Sequence, residues 1–309
     1  MTSLLTNTAA MVALQTLTDI SMNLNETNNR VSTGLRISQA SDSAAYWAIA
    51  TTTRSDNGAL SAVRDAIAIG KSTLDVTYAG LDSVRESLQE IKELLVSARQ
   101  PGVDRTNVQV QIAGLQTDMS NKAGSAVLNE QNFLAIADSA TENMTKSVVA
   151  SFQRGATGIS ISTIDLDITN IYLTDGNATE TGVLDQDRTV GAGASAVTAS
   201  ALTVDISALT DSATDISILE NNITLIDTAL TEVISAQNSV GVNLARAESQ
   251  ETFVQALVDA NDRAVGALVD ANMEEESTKL RALQTQQQLS VQSLSIANSA
   301  AQSILFLFQ

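Results

Sequence analysis

Three stretches hold side chains of a type and spacing that could do chemistry. Gly70-Lys71-Ser72 looks like the end of a phosphate-binding loop. Such a loop needs a glycine five residues before the one preceding the lysine, and a strand in front of it; position 65 is Asp65, and the tripeptide lies inside a helical pattern. Asp165-Leu166-Asp167 resembles the start of a calcium loop, but the twelfth position is Gly176 and the stretch alternates as a strand. Glu274-Glu275-Glu276 could serve acid-base work or metal ligation. Carboxylates at the start of a helix more commonly complement its dipole. The chain has no His and no Cys, so nucleophile-base triads, thiol catalysis and the usual zinc ligands are all missing. No enzyme, cofactor or metal site is expected. Trp47, the one tryptophan, is expected to serve packing and not chemistry.

The elements that would position any site are long helices. Leu60, Val63, Ile67, Leu74, Leu81, Val84, Leu88, Ile91, Leu95 and Ala98 fall on one series of alternating steps of three and four, interrupted only at Gly70 and Thr77. That spacing describes a narrow apolar seam of the coiled-coil kind. From Tyr46 to Ala98 the helix would be roughly 80 Å long at ~1.5 Å per residue, and it needs a partner of similar length. Ile216, Leu219, Ile223, Ile226, Leu230, Val233, Val240, Leu244, Ala247, Val254, Val258, Val265 and Leu268 form the matching seam, with Gln237, Glu251 and Asn261 as its polar members.

Weaker seams flank these. Leu14, Leu17, Leu24, Val31 and Leu35 keep the spacing near the start, with Ser21 and Asn28 as polar breaks. Leu280, Leu283, Leu294, Ala297, Ala301, Ile304 and Phe308 keep it near the end, with Gln287 and Ser290 as breaks. In isolation such helices are expected to be poorly ordered. Gly34 should end the first helix, Ser41 or Asp42 should cap the second, and Gln100-Pro101-Gly102 should stop it. Asp104 should cap a third helix with Val108, Ile112, Leu115 and Met119 on its seam, and Asn272 with Glu275 resembles a capping box.

Between the strong helices, Val148–Phe152 and Ile159–Ile168 read as a hairpin with a bulge near Thr163. Leu173–Thr210 is rich in Gly, Ala, Ser, Thr and Asp and reads as an exposed excursion that tolerates deletion. The expected fold is mainly α: long antiparallel coiled-coil helices from both chain ends, with a small outer β domain in the middle. The expected segments are 1–42 and 269–309 as inner-core helices, 43–140 and 211–268 as a helical shell, and 141–210 as the hairpin and outer domain.

Composition agrees with helices packed through aliphatic seams. Aromatics make up 3% of the 309 residues, there is one proline, and mean hydropathy is +0.07. The net charge of -18 argues against nucleic acid and anionic membranes as partners and for a soluble monomer. No basic, apolar leader and no membrane-length apolar run occurs, which leaves a cytosolic home or export without cleavage.

Residues Asn29 to Ala50, reading N-R-V-S-T-G-L-R-I-S-Q-A-S-D-S-A-A-Y-W-A-I-A, resemble the N-terminal signature of bacterial flagellins. The stretch from Leu268-Val269-Asp270-Ala271-Asn272-Met273 through Ala297-Asn298 to Ile304-Leu305 resembles the C-terminal one. The match covers about the first 140 and last 95 residues. Tyr46-Trp47 in place of Gly-Leu, with Ser38 in place of Asn, is similar to flagellins of rhizobia and related alphaproteobacteria. The resemblance implies a structural subunit that polymerises into the extracellular flagellar filament, leaves the cell unfolded through the flagellar type III channel, and serves swimming. Implied partners are copies of itself or other flagellins, an export chaperone docked on Leu294, Ile304, Leu305 and Phe308, and hook-associated junction and cap proteins. A hook-filament junction protein of the same superfamily is the alternative.

Overall fold

The computed structural model describes residues 7–155, 158–177 and 181–307, with side chains described as far as Ser299. Phe308 lies outside the described residues, and Ile304 and Leu305 are described in backbone only. Among these residues the helices are α1 (Thr8–Thr33), α2 (Ala44–Ala98), α3 (Arg105–Ser125), α4 (Ala213–Val269) and α5 (Met273–Leu307). Eight strands lie among the described residues between α3 and α4: β1 (Val127–Leu128), β2 (Gln131–Asn132), β3 (Ala135–Ile136), β4 (Thr145–Gly155), β5 (Gly158–Asp167), β6 (Thr174–Asp175), β7 (Arg188–Val190) and β8 (Val197–Ala199). The fold is mainly α, with long helices from both chain ends and short strands in the middle. Two compact units are formed, residues 59–256 and residues 1–58 with 257–309.

In the unit of residues 59–256, the α2 seam is buried where the spacing puts it. Ile67, Leu74, Leu81, Leu88, Ile91 and Leu95 are fully enclosed, and Leu60 is 5% exposed. Thr77 fills its seam position with its hydroxyl returned to the Thr73 carbonyl. Gly70 breaks the seam because β4 crosses there. A Cβ on Gly70 would stand 2.2 Å from a methyl of Val148.

Helix α4 runs antiparallel to α2 in a fixed register. Arg64 meets Gln255, Lys71 meets Glu248, Gln237 meets Asp82, Lys92 meets Asp227 and Arg99 meets Glu220. From each pair to the next, the two residue numbers change by equal and opposite amounts. Ile226 is enclosed, Leu230 nearly so and Ile223 half-buried. Leu225, Ala229 and Ala236 are buried as well, so α4 has a second buried face that a single seam does not describe.

The middle of the chain departs from the reading as an exposed excursion. Leu173, Leu184, Ala201, Val204 and Ile206 are buried in the same core cluster as Leu88 and Ile226. Gln109 and Gln116 of α3 fasten this segment through the Val204 carbonyl. Deleting Leu173–Thr210 would therefore uncover the core. Composition misled because small polar residues space the apolar ones irregularly, and no period shows. The β4–β5 hairpin is present, but its extra residue is Ala150 in β4, between the pairs Val149–Thr163 and Ser151–Ser162. The slip at Thr163 marks a change of apolar face instead: Ile164 and Leu166 are buried, while Ile159 and Ile161 are about 60% exposed.

Helix ends follow local chemistry. Gly34 closes α1 at φ 71°, and Asp104 caps α3 through the Thr106 and Asn107 amides. Asp42 does not cap α2. Its carboxylate turns back to the Ser38 and Gln39 amides, and the Ser43 carbonyl accepts the Trp47 N–H. Those backbone donors hold the Asp42 carboxyl below its usual range.

Candidate self-assembly surface

The unit of residues 1–58 and 257–309 is built on the antiparallel pair α1 and α5. Three ties set the pair. Asn7 donates its side-chain amide to the Ala297 carbonyl at 3.1 Å. Arg30 reaches Glu276 at 3.2 Å and also binds Glu26. At the helix ends, the amides of Arg36 and Ile37 donate to the Val269 carbonyl, and Ala271 donates to the Gly34 carbonyl. The break between α1 and α2 is thereby stitched to the break between α4 and α5. Ile37, Ala50, Val265 and Val269 form a small apolar core beside that stitch.

The α5 face toward α1 is the expected series. Leu283 is buried and Leu280, Gln287, Ser290, Leu294 and Ala297 are half-buried. Glu276 extends it, 8% exposed. The α1 face is rotated from the expected one. Leu17, Leu24 and Val31 lie on it, but Ile20 and Thr27 are buried in place of Ser21 and Asn28. Leu14 is 55% exposed and lies off the face that α5 covers. One position is about 100° round the helix. The rotated face wins because it buries Ile20 where the other would bury a serine.

Leu14 and other apolar residues outside the packed faces form a second apolar stripe on each helix that the subunit leaves uncovered. Met11, Leu14 and Met22 on α1 are between 52% and 57% exposed, and Leu289 and Ile296 on α5 are 61% and 62% exposed. On α2, Tyr46, Trp47 and Ile49 are 47%, 39% and 51% exposed. Large apolar side chains exposed on successive turns of a helix suit an interaction surface. Its chemistry is association and not catalysis.

The stretches first considered for chemistry have structural placements. Lys71 lies between Glu248 and Glu251 of α4, at 3.7 and 3.5 Å. Asp165 and Asp167 are exposed on β5, and Asp167 is held below its usual range by the Thr169 hydroxyl and amide. Glu274 and Glu275 lie in the first turn of α5, whose amides are capped by Asn272.

The N-terminal and C-terminal helices that make this surface are also where similarity to known proteins concentrates. Residues 4–141 match the bacterial flagellin N-terminal helical region, and residues 223–308 match the bacterial flagellin C-terminal helical region. The chain belongs to the bacterial flagellin family. It is 43% identical to flagellin C of Rhizobium meliloti (strain 1021) over 321 aligned residues, the full length of both chains. Flagellin A of the same strain is 38% identical and a flagellin of Brucella melitensis 37% identical, again over the whole of both chains. This flagellin is a structural filament subunit and not an enzyme, and its place is the extracellular flagellar filament. No helix among the described residues is long and apolar enough to cross a membrane.

Several contributors escaped the sequence reading. Arg105 is 6% exposed and joins the Ala98 and Leu209 carbonyls to Asp211. Asn57 is 9% exposed and donates to Asp262 and the Val258 carbonyl while accepting from Asn261. The seam spacing shows Asn261 only as a polar interruption; a polar residue on each helix at one level of the pair is the signal the sequence offers.

Proposed function

We propose that this flagellin is exported unfolded through the flagellar type III channel and polymerises into a filament that drives swimming. The observation that carries the reading is the second apolar stripe, Met11, Leu14 and Met22 on α1 with Leu289 and Ile296 on α5, which one subunit alone leaves in water. Copies of the chain, or other flagellins, cover that stripe in the filament, and hook-associated junction and cap proteins bound it at either end. Before export, a chaperone covers Leu294, Ile304, Leu305 and Phe308. Residues 1–42 and 269–309 serve as the inner helices, 43–140 and 211–268 as the shell around them, and 141–210 as the outward-facing part.

A net charge of -18 on each copy opposes association, so the apolar contact must outweigh repulsion and salt must help it. The test is sedimentation of purified subunit seeded with filament fragments, across a salt series. Pelleting that rises with salt and is abolished by deletion after Leu289 supports the reading. Full polymerisation of the truncated chain would sink it. A hook-filament junction protein is not favoured, since the full-length relatives described above are flagellins.

A further inference from the structure

Two carboxylates sit beside each other in the segment that covers the core of residues 59–256. Asp175 on β6 is 7% exposed and fully engaged. It accepts from the Ser139 and Asn177 amides and from the Thr181 hydroxyl. Asp185, 9% exposed, is not. Its Oδ2 accepts the Asp175 amide at 2.5 Å, while its buried Oδ1 has no hydrogen-bond partner among the described residues. Gly182 closes over that oxygen. A Cβ at Gly182 would stand 2.7 Å from Asp185 Oδ1 and 2.5 Å from the Leu173 carbonyl oxygen.

An ionised Asp185 in this place would carry an uncompensated oxygen out of water, next to the ionised Asp175. Among the described residues, the nearest cation in sequence is spoken for. Arg188 of β7 is engaged by the Val183 and Gln186 carbonyls and by Glu232 of α4. Asp138, on the loop after β3, adds negative charge behind Asn177, and Asp187 follows two residues on. We propose that Asp185 is a proton-operated latch: as the neutral acid it lets residues 181–185 close on residues 172–175, and its ionisation loosens them.

The closure it governs is specific. Val183 donates to the Tyr172 carbonyl and Leu184 to the Leu173 carbonyl, at 3.1 and 2.8 Å. Leu173 and Leu184 are themselves enclosed in the core cluster, so loosening this contact disturbs the cover of α4 and α3. Burial first, and the Asp175 charge with it, push the Asp185 carboxyl above its usual value, outweighing the pull of the nearby Asp175 and Gly182 amides. The sign follows: a raised folded value gives stability that is complete below the unfolded value of 3.8 and is lost as pH rises toward the folded one.

The experiment is hydrogen exchange of the full chain, read on the Val183 and Leu184 amides from pH 4 to 8 and corrected for intrinsic rate. In the wild type, protection should fall by up to about tenfold per pH unit across the window between the two values. Asp185→Asn keeps the shape and stays neutral, so it should flatten that dependence and hold the acid level of protection throughout. The same pH dependence in Asp185→Asn would overturn the latch. Should the variant misfold, the wild-type Asp185 carboxyl carbon decides by its own NMR titration. A midpoint above 3.8 supports the latch, and one at or below 3.8 overturns it.

Discussion

Gln237 of α4, buried among the aliphatic residues of its seam, donates its side-chain amide to the half-exposed Asp82 of α2 at 3.0 Å. Glu251, another polar member of the α4 seam, faces Lys71. Polar seam residues that meet polar partners specify register at some cost in stability. Asp82 keeps Arg85 as a second partner at 2.7 Å and is half-exposed, so removing Gln237 strands no buried charge. Gln237→Leu should therefore stay within about 1 kcal/mol of wild type in a urea melt. Leu88→Asp or Ile226→Asp, at fully enclosed positions, should give no folded subunit, because a bare carboxylate would enter the core. Circular dichroism and melting separate the two outcomes; a cooperative melt for Leu88→Asp would show that the seam is not the core.

Arg105 supports a second expectation. Its guanidinium takes the Ala98 carbonyl at the end of α2, the Leu209 carbonyl and Asp211, at 3.0, 3.1 and 2.8 Å. One planar side chain thus closes a helix end and pins the segment that leads into α4. Arg105→Met should cost about 1–3 kcal/mol, since it leaves buried carbonyls without a donor. Arg105→Lys should recover only part of this, because a single ammonium cannot reproduce the fork. The check is the urea midpoint of each variant. Equal midpoints for Met and wild type would mean the carbonyls find water at no cost.

How much of this was legible depended on whether burial follows a period. The α2 seam could be read residue by residue, since Leu60 through Leu95 repeat the same spacing and the structure encloses them on that spacing. On α1 the reading chose Leu14, Ser21 and Asn28 where the structure buries Ile20 and Thr27. Apolar residues there occupy more than one stripe, and only the partner helix decides which stripe turns inward. Leu173, Leu184, Val204 and Ile206 reach the core from turns, so no spacing announces them. Arg105 gives no sequence signal either, because its partners are backbone carbonyls, one seven residues back at Ala98 and one in a distant segment at Leu209.

The carboxylates also set an acid response. Burial alone would raise the Asp175 carboxyl, but donors from Ser139, Asn177 and Thr181 outweigh it and hold it at about 2. A depressed folded value contributes stability above the unfolded value of 3.8 that is lost as pH falls toward about 2. Asp175→Asn should accordingly melt below wild type at pH 7, and the difference should shrink through that window. Thermal melts of both proteins at several pH values test this. A gap that stays constant down to pH 2 would assign the loss to shape and not to charge.

The outward stripe yields a prediction that separates folding from assembly. Leu14 is 55% exposed and Met22 57% exposed, on the α1 surface that α5 does not cover. An exposed site tolerates a carboxylate, and surface substitutions usually shift stability by no more than about 0.5 kcal/mol. Leu14→Asp should thus leave the monomer's helical signal and melting unchanged. Between copies the same charge would be buried against apolar neighbours, in a subunit already acidic by 18 charges. Losing one such apolar contact removes roughly 1.5–3 kcal/mol, and the buried charge adds to that. Seeded polymerisation should therefore fail or need far more protein, whereas Leu283→Asp, at a buried α5 position, should damage the monomer as well. Sedimentation alongside circular dichroism reads both. If Leu14→Asp polymerised like wild type, α1 would not meet neighbouring copies through this stripe.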